Sequence, residues 1–200
     1  MTGQAEQWHS ALQAIAADPS ISEVILSGGD PLTLPDYKLA RLVEQLNAIP
    51  QLRRIRIHSR LLVMIPQRVN DDLLAWLRTG RLSPFVVVQV NHPAEIDDEV
   101  AGAFARLVSG GVPVLNQAVL LRGVNDRADV LADLCQRLVN LRVMPYYLHQ
   151  LDAVAGAAHF EVPVATGIAL IAELRARLPG YAVPRYVRET KGGLSKQNLA

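Results

Sequence analysis

Short apolar segments of strand character alternate along this chain with stretches of ten or more residues whose apolar positions recur at helical spacing. Val24–Leu26, Arg54–His58, Phe85–Val90, Val114–Leu120 and Val143–His149 make up the strand series. Phe85-Val86-Val87-Val88-Gln89-Val90 is the strongest, a β-branched run bounded by Pro84 and Asn91-His92-Pro93 that suits a strand covered on both faces. Helices are predicted over Gln7–Ala17, from an Asp36 N-cap through Leu46, and from Asn70 or Asp71 through Leu77. Three more are predicted near Asp97–Val108, Arg127–Leu138 and Val164–Leu178. Pro19, Pro50, Gly80, Gly110-Gly111 and Pro179-Gly180 stop them where stops are needed, and Tyr181–Val187 is a last extended piece. Hairpin spacing is absent, so the series reads as consecutive parallel βαβ units forming an α/β barrel or a doubly wound sheet. No linker interrupts residues 1–200, which predicts one domain.

The polar residues separate the two architectures. Gly28/Gly29/Asp30, His58/Ser59/Arg60, Asn91/His92, Gln117 and Tyr147/His149/Asp152 fall at the C-terminal ends of five successive strands. Ligand-capable groups shared among so many strand ends fit the top face of a TIM-type barrel. A nucleotide-binding sheet concentrates its chemistry at one switch point, and no Gly-x-Gly-x-x-Gly follows the first strand. A partial barrel is therefore expected, because five strands do not close the usual eight-stranded ring.

Composition removes other classes. Half of the 200 residues are hydrophobic and the net charge is +1, with both signs dispersed, so no basic stripe argues for nucleic acid. The longest apolar runs are far too short for a membrane span, and the N-terminus has neither the basic cluster nor the apolar core of a signal peptide. A lone cysteine, Cys135, excludes an internal disulfide and a cysteine-ligated cluster held by this chain alone, and fits a reducing cytoplasm.

Each candidate constellation has a plainer reading. The stretch Glu23-Val24-Ile25-Leu26-Ser27-Gly28-Gly29-Asp30-Pro31 leaves a strand through two residues lacking Cβ, so a ligand could lie on bare backbone with Asp30 accepting from an ammonium or hydroxyl. By itself such a string is more often an ordinary turn. His58-Ser59-Arg60 offers a cation and a donor for a carboxylate or phosphate, or a salt-bridged strand end. Asn91-His92-Pro93-Ala94-Glu95 favours a capped turn over a site loop. Asp152 and His159 flank the small-residue stretch Ala153–Ala158 and suit either acid/base work or a polar loop. Lys196, after Gly192-Gly193, could form a Schiff base with an aldehyde cofactor; those residues alone favour a solvated tail.

Taken in order, these strings resemble one family. Ser27-Gly28-Gly29-Asp30-Pro31-Leu32, Ile55-Arg56-Ile57-His58-Ser59-Arg60, Asn91-His92-Pro93-Ala94-Glu95-Ile96 and Asn116-Gln117-Ala118-Val119-Leu120-Leu121-Arg122-Gly123-Val124-Asn125-Asp126 come first. Pro145-Tyr146-Tyr147-Leu148-His149-Gln150-Leu151-Asp152, Gly156-Ala157-Ala158-His159-Phe160 and Gly180-Tyr181-Ala182-Val183-Pro184 follow. The set is similar to the lysine 2,3-aminomutase family of radical S-adenosylmethionine enzymes, from about Trp8 to Lys196. The wording around Asp152 and His159 and the short C-terminal end resemble the branch acting in elongation factor P β-lysylation, a bacterial cytoplasmic isomerase converting L-lysine to (R)-β-lysine. The resemblance implies three cofactors: S-adenosylmethionine, a [4Fe-4S] cluster that reduces it to a 5′-deoxyadenosyl radical, and pyridoxal phosphate, on which the substrate amino group moves from C2 to C3.

On matching positions, the resemblance implies that Gly28, Gly29 and Asp30 line the S-adenosylmethionine site and that Gln117 contacts its ribose. Lys196 stands at the place of the pyridoxal lysine, in a C-terminal segment of about residues 180–200. Asp152 and Glu189 stand where two carboxylates grip the substrate side-chain ammonium, Glu189 replacing an aspartate of the classical aminomutases. Gln89 stands where the family often has histidine. The family's Cys-x-x-x-Cys-x-x-Cys loop is absent, which predicts an N-terminally truncated barrel without its first strand and inactive in radical chemistry by itself. The alternative is a non-catalytic remnant that at most binds pyridoxal phosphate or a partner such as elongation factor P.

Overall fold

A computed structural model describes residues 3–190, 192 and 195–200. Lys191, Gly193 and Leu194, part of the expected Gly-Gly turn before Lys196, lie outside the described residues. The order is α1 (Gly3–Ala17), β1 (Glu23–Leu26), α2 (Asp36–Asn47), β2 (Arg54–Ser59), α3 (Leu61–Met64), α4 (Asp71–Arg78), β3 (Ser83–Val88) and α5 (Asp98–Ser109). Then come β4 (Val114–Leu120), α6 (Ala128–Asn140), β5 (Val143–Gln150), α7 (Val164–Arg177), β6 (Arg185–Arg188) and β7 (Gln197–Asn198). Strand order in the sheet follows chain order from β1 to β7. The first six strands pair in parallel and β7 closes antiparallel on β6, so the sheet curls into a half-barrel with helices outside.

Side-chain alternation explains the layering. In β2, Ile55, Ile57 and Ser59 are buried while Arg54, Arg56 and His58 turn to the concave face. β4 alternates likewise, burying Val114, Asn116, Ala118 and Leu120. Under the helices, one apolar cluster holds Leu39, Leu46, Ile55, Ile57, Leu73, Val86, Val88, Phe104 and Leu107, and a second gathers Leu120, Leu131, Leu148, Ile171, Leu174 and Tyr186. Asn70 and Asp97 accept from Leu73 N–H and Val100 N–H and so cap α4 and α5. Gly167 lets α7 lie directly on the Tyr186 ring, where a Cβ would overlap it.

Three expectations change. The strand expected over Phe85–Val90 runs Ser83–Val88. It starts early because Ser83 N–H donates to Arg53 C=O at 2.9 Å, and it ends early because the Asn116 side chain takes both the N–H (2.8 Å) and the C=O (3.0 Å) of Val90. The extended piece at Tyr181–Val187 divides into a 3-10 turn, Gly180–Ala182, and a true sixth parallel strand, so the sheet exceeds the five strands expected. Between Asn116 and Gln117 the β4–β5 register slips: Asn116 faces Pro145 but Gln117 faces Tyr147, leaving Tyr146 as the extra residue of a bulge. No helix among the described residues is long and apolar enough to cross a membrane.

Candidate functional site

A cavity of about 450 Å³ occupies the concave face, lined by Ile25, Ser27, Arg56, His58, Gln89, Gln117, Tyr146, Tyr147, Glu189 and Lys196. These residues come from β1, β2, β4, β5, the end of β3 and the segment after β6, so sheet curvature assembles a wall from distant stretches. A hollow of about 220 Å³ beside it is lined by Glu189, Thr190, Ser195 and Lys196.

Lys196, just before β7, and Glu189, just after β6, form an ion pair, and the ammonium lies 5.8 Å from the Tyr147 ring centroid. The Lys196 hydrogen bond and charge hold the Glu189 carboxyl below the usual glutamate range. On β2, His58 is pushed down to about 4, first by burial and then by the Arg56 and Lys196 charges, so its ring is neutral near pH 7. Burial and Lys196 likewise lower His149. Among the described residues, four buried polar atoms have no hydrogen-bond partner: Arg56 Nε, His58 Nε2, Gln117 Oε1 and His149 Nε2. A buried donor or acceptor without a partner is costly, and a wall carrying several is suited to a polar ligand.

The loop after β1 is built differently from its expected form. Both carboxylate oxygens of Asp30, expected to accept from a ligand, accept from the protein. Ser59 Oγ donates at 2.8 Å, Arg60 N–H at 2.8 Å, Leu61 N–H at 2.9 Å and Leu32 N–H at 3.1 Å. The N–H groups opening α3 would otherwise be orphaned, and this carboxylate satisfies them. Gly28 and Gly29 are left with open space beside their Cα atoms, and Gly29 has a positive φ of 60°.

Other polar motifs are braces. Asn91 Oδ1 accepts from Val119 N–H at 2.8 Å, and Asn125 Nδ2 donates to Asn91 C=O and Val119 C=O at 2.8 and 2.9 Å. Glu95 accepts from Asn91 N–H and His92 N–H and pairs with Arg60 at 2.8 Å, so Asn91–Glu95 is a capped turn and Arg60 a salt-bridged strand end. Asp152 and His159 are exposed on the loop after β5. Asp152 lies outside the cavity wall, although its charge reaches His149. The structure thus brings Gln117, Glu189 and Lys196 to one cavity and leaves Asp152 apart.

Arg56 and Tyr146 are among the wall residues that escaped the sequence reading as functional candidates. Arg56 was signalled by the Arg54-Ile55-Arg56-Ile57-His58 alternation, which puts it on the His58 face. Tyr146 had no signal, since only the bulge turns it inward beside Tyr147, with ring centroids 3.7 Å apart.

No protein-family model matches the chain. Curated sequences match it closely: it is 45% identical over 197 residues to an L-lysine 2,3-aminomutase of Escherichia coli K12, covering 98% of this chain and 58% of that protein. The L-lysine 2,3-aminomutase of Haemophilus influenzae is 44% identical over 194 residues (97% and 57%), and that of Clostridium subterminale 40% over 192 residues (96% and 46%). The chain is a relative of the L-lysine 2,3-aminomutases. It spans about half the length of these aminomutases. Among solved structures, a radical SAM methyltransferase from Sphaerobacter thermophilus superposes with a TM-score of 0.61 at 20% identity, covering 92% of this chain and 57% of the other. Streptococcus suis SuiB superposes with 0.66 at 12% identity, covering 94% and 44%. At these identities the likeness is one of fold, and it agrees with the partial barrel. Against the aminomutase relatives, the donor set here divides clearly. Gln117 Oε1, a buried free acceptor, fits a hydroxyl-bearing ligand, and Lys196 on an aromatic-lined cavity fits an aldehyde cofactor. Iron does not fit: among the described residues no three His, Cys, Asp or Glu side chains converge, and Cys135 is buried in α6 with its thiol pushed up to about 12.

Proposed function

We propose that this chain supplies the substrate- and cofactor-binding wall of an L-lysine 2,3-aminomutase-type isomerase, which moves the amino group of L-lysine from C2 to C3. The reading is carried by the placement of Lys196, paired with Glu189, on the cavity that also holds Gln117, Tyr146 and Tyr147. The names of the curated relatives support the reaction and the substrate. Pyridoxal phosphate would supply an electron-accepting ring for the migrating amino group, and S-adenosylmethionine the hydrogen-abstracting radical.

The chain's own residues have distinct tasks. Lys196 offers the amine that anchors an aldehyde. Glu189 keeps it beside Tyr147 and is the carboxylate available to a substrate ammonium once Lys196 is engaged. Gln117 Oε1 accepts from a ligand hydroxyl, and the Gly28–Gly29 backbone, fixed through Asp30, gives a ligand a close approach. Asp152 enters as a second carboxylate only if the loop after β5 folds over the cavity. Among the described residues no side chains converge as iron ligands, so the tasks assigned to this chain are those of binding and orienting ligands. The wording around Asp152 and His159 supports a role in making (R)-β-lysine for elongation factor P, and the lone thiol supports a cytoplasmic setting.

Adding pyridoxal phosphate to the chain tests the reading directly. A visible absorption band is expected, bleached by borohydride as the cofactor is fixed to Lys196, and absent in Lys196→Ala. A band that persists in Lys196→Ala, or a label on another lysine, overturns it.

A further inference from the structure

We infer that Arg56 and His58, with the Ser27 hydroxyl beside them, form a subsite for a ligand oxyanion on the concave wall. This deepens the aminomutase reading and rests on it for the identity of the ligand. Arg56 and His58 are two apart on β2 and so share a face, and the pairing of Leu26 with Ile57 places Ser27 opposite His58. All three line the cavity. Arg56 Nε and His58 Nε2 are buried without a partner, so this stretch of the wall carries two unsatisfied nitrogens on one strand face.

The charges explain why the missing acceptor is an anion. Glu23 pairs with Arg54 at 2.8 Å and with Arg56 at 2.6 Å, so one carboxylate faces two guanidiniums and a unit of positive charge is left over. Glu189, on the same wall, is taken up by Lys196. A carboxylate or phosphoryl group would receive charge-assisted bonds from Arg56 Nε and from His58 Nε2, which takes the donor role by tautomer or by binding a proton. The charged groups facing His58 are Arg56 on its own strand, Glu23 on β1, His149 on β5 and Lys196 in the C-terminal segment. Of these only Glu23 favours the protonated ring, and an oxyanion would add a second negative charge.

Under the aminomutase reading the oxyanion has three sources: the phosphoryl group of the aldehyde cofactor, the carboxylate of the amino acid and the methionyl carboxylate of S-adenosylmethionine. NMR titration of the His58 ring, assigned among five histidines with His58→Gln, tests the subsite with inorganic phosphate as the first probe. Phosphate is expected to raise the His58 midpoint by about one unit or more. Arg56→Gln is expected to weaken phosphate binding about 10- to 100-fold. Arg56→Lys, which keeps the charge facing Glu23 but lacks Nε, should weaken it in the same direction and guards against misfolding. If Arg56→Gln weakens pyridoxal phosphate but not pyridoxal, the phosphoryl group is the source; if it weakens L-lysine binding, the amino-acid carboxylate is; if it weakens S-adenosylmethionine binding alone, the methionyl carboxylate is. A His58 midpoint unmoved by concentrated phosphate, pyridoxal phosphate, L-lysine and S-adenosylmethionine overturns the subsite, as does Arg56→Gln binding all four as the parent does. Failure of the aminomutase reading looks different: no band at Lys196, with His58 still responding to phosphate.

Discussion

Ser59 donates its hydroxyl to the Asp30 carboxylate at 2.8 Å, tying the glycine loop after β1 to the end of β2. The same carboxylate takes the N–H groups of Arg60 and Leu61, so three donors of the neighbouring strand end depend on one side chain. Asp30→Ala should therefore destabilise the chain by on the order of 3 kcal/mol, since these donors are part-buried and partly lose their solvent alternative. Urea denaturation measures it. A loss below about 0.5 kcal/mol, the range of ordinary surface substitutions, would show that the knot contributes little.

Lys196 and Glu189 make a second linked pair. Lys196→Ala should let the Glu189 carboxyl rise toward the ordinary glutamate value, read by carbon-detected NMR titration. Since its folded value is depressed, the pair's contribution to stability is present above the ordinary glutamate value and fades as pH falls through the folded one. The parent and Lys196→Ala should therefore converge in stability at strongly acid pH; a constant difference across that range would contradict the pairing.

His58 produces the opposite kind of pH dependence from a paired histidine. Its folded value of about 4 lies below the ordinary 6.5, so the unfolded chain binds the proton more readily. The neutral folded ring carries no penalty above about 6.5, and stability declines as pH falls from there toward 4. His58→Gln should flatten that decline, the remaining slope including His149, which is lowered in the same sense. A decline of unchanged steepness in His58→Gln would place the titrating group elsewhere.

Gly167→Ala should cost about 1–3 kcal/mol although alanine is the better helix former, because the new methyl meets the fully buried Tyr186 ring. Tyr186 donates to Gln150, so shifting the ring also disturbs a buried hydrogen bond. Thermal unfolding of Gly167→Ala against Gly102→Ala, where a methyl meets nothing within 4 Å, isolates the clash. Equal midpoints would mean that α7 moves freely off the sheet.

Much of the architecture was readable because period and punctuation agree. The Val114–Leu120 strand was read with both ends in place, and Asn70 and Asp97 mark helix starts through side chains that do cap. What failed depended on partners far along the chain. Nothing near Val90 says that the side chain of Asn116 will replace the ladder there, and nothing near Asp30 says that Ser59, Arg60 and Leu61 will claim its oxygens. Gln117, Glu189 and Lys196 were legible through resemblance and meet at one cavity, whereas Asp152 stands apart on an exposed loop. Arg56 was visible in the alternation but was assigned no task, since charge at a strand position reads first as a salt bridge.

The bulge at Tyr146 has an architectural meaning of its own. A pleated strand offers the bore one side chain for every two residues, so a fixed number of strands fixes how much wall the bore can have. By spending one residue outside the ladder, β5 sets Tyr146 and Tyr147 side by side facing inward, while Leu148 and Gln150 beyond it stay buried. Removing Tyr146 would restore an unbroken ladder and leave everything downstream in phase. The slip is thus a local gain in surface: the bore acquires an extra aromatic ring without another strand, and the outer packing is undisturbed.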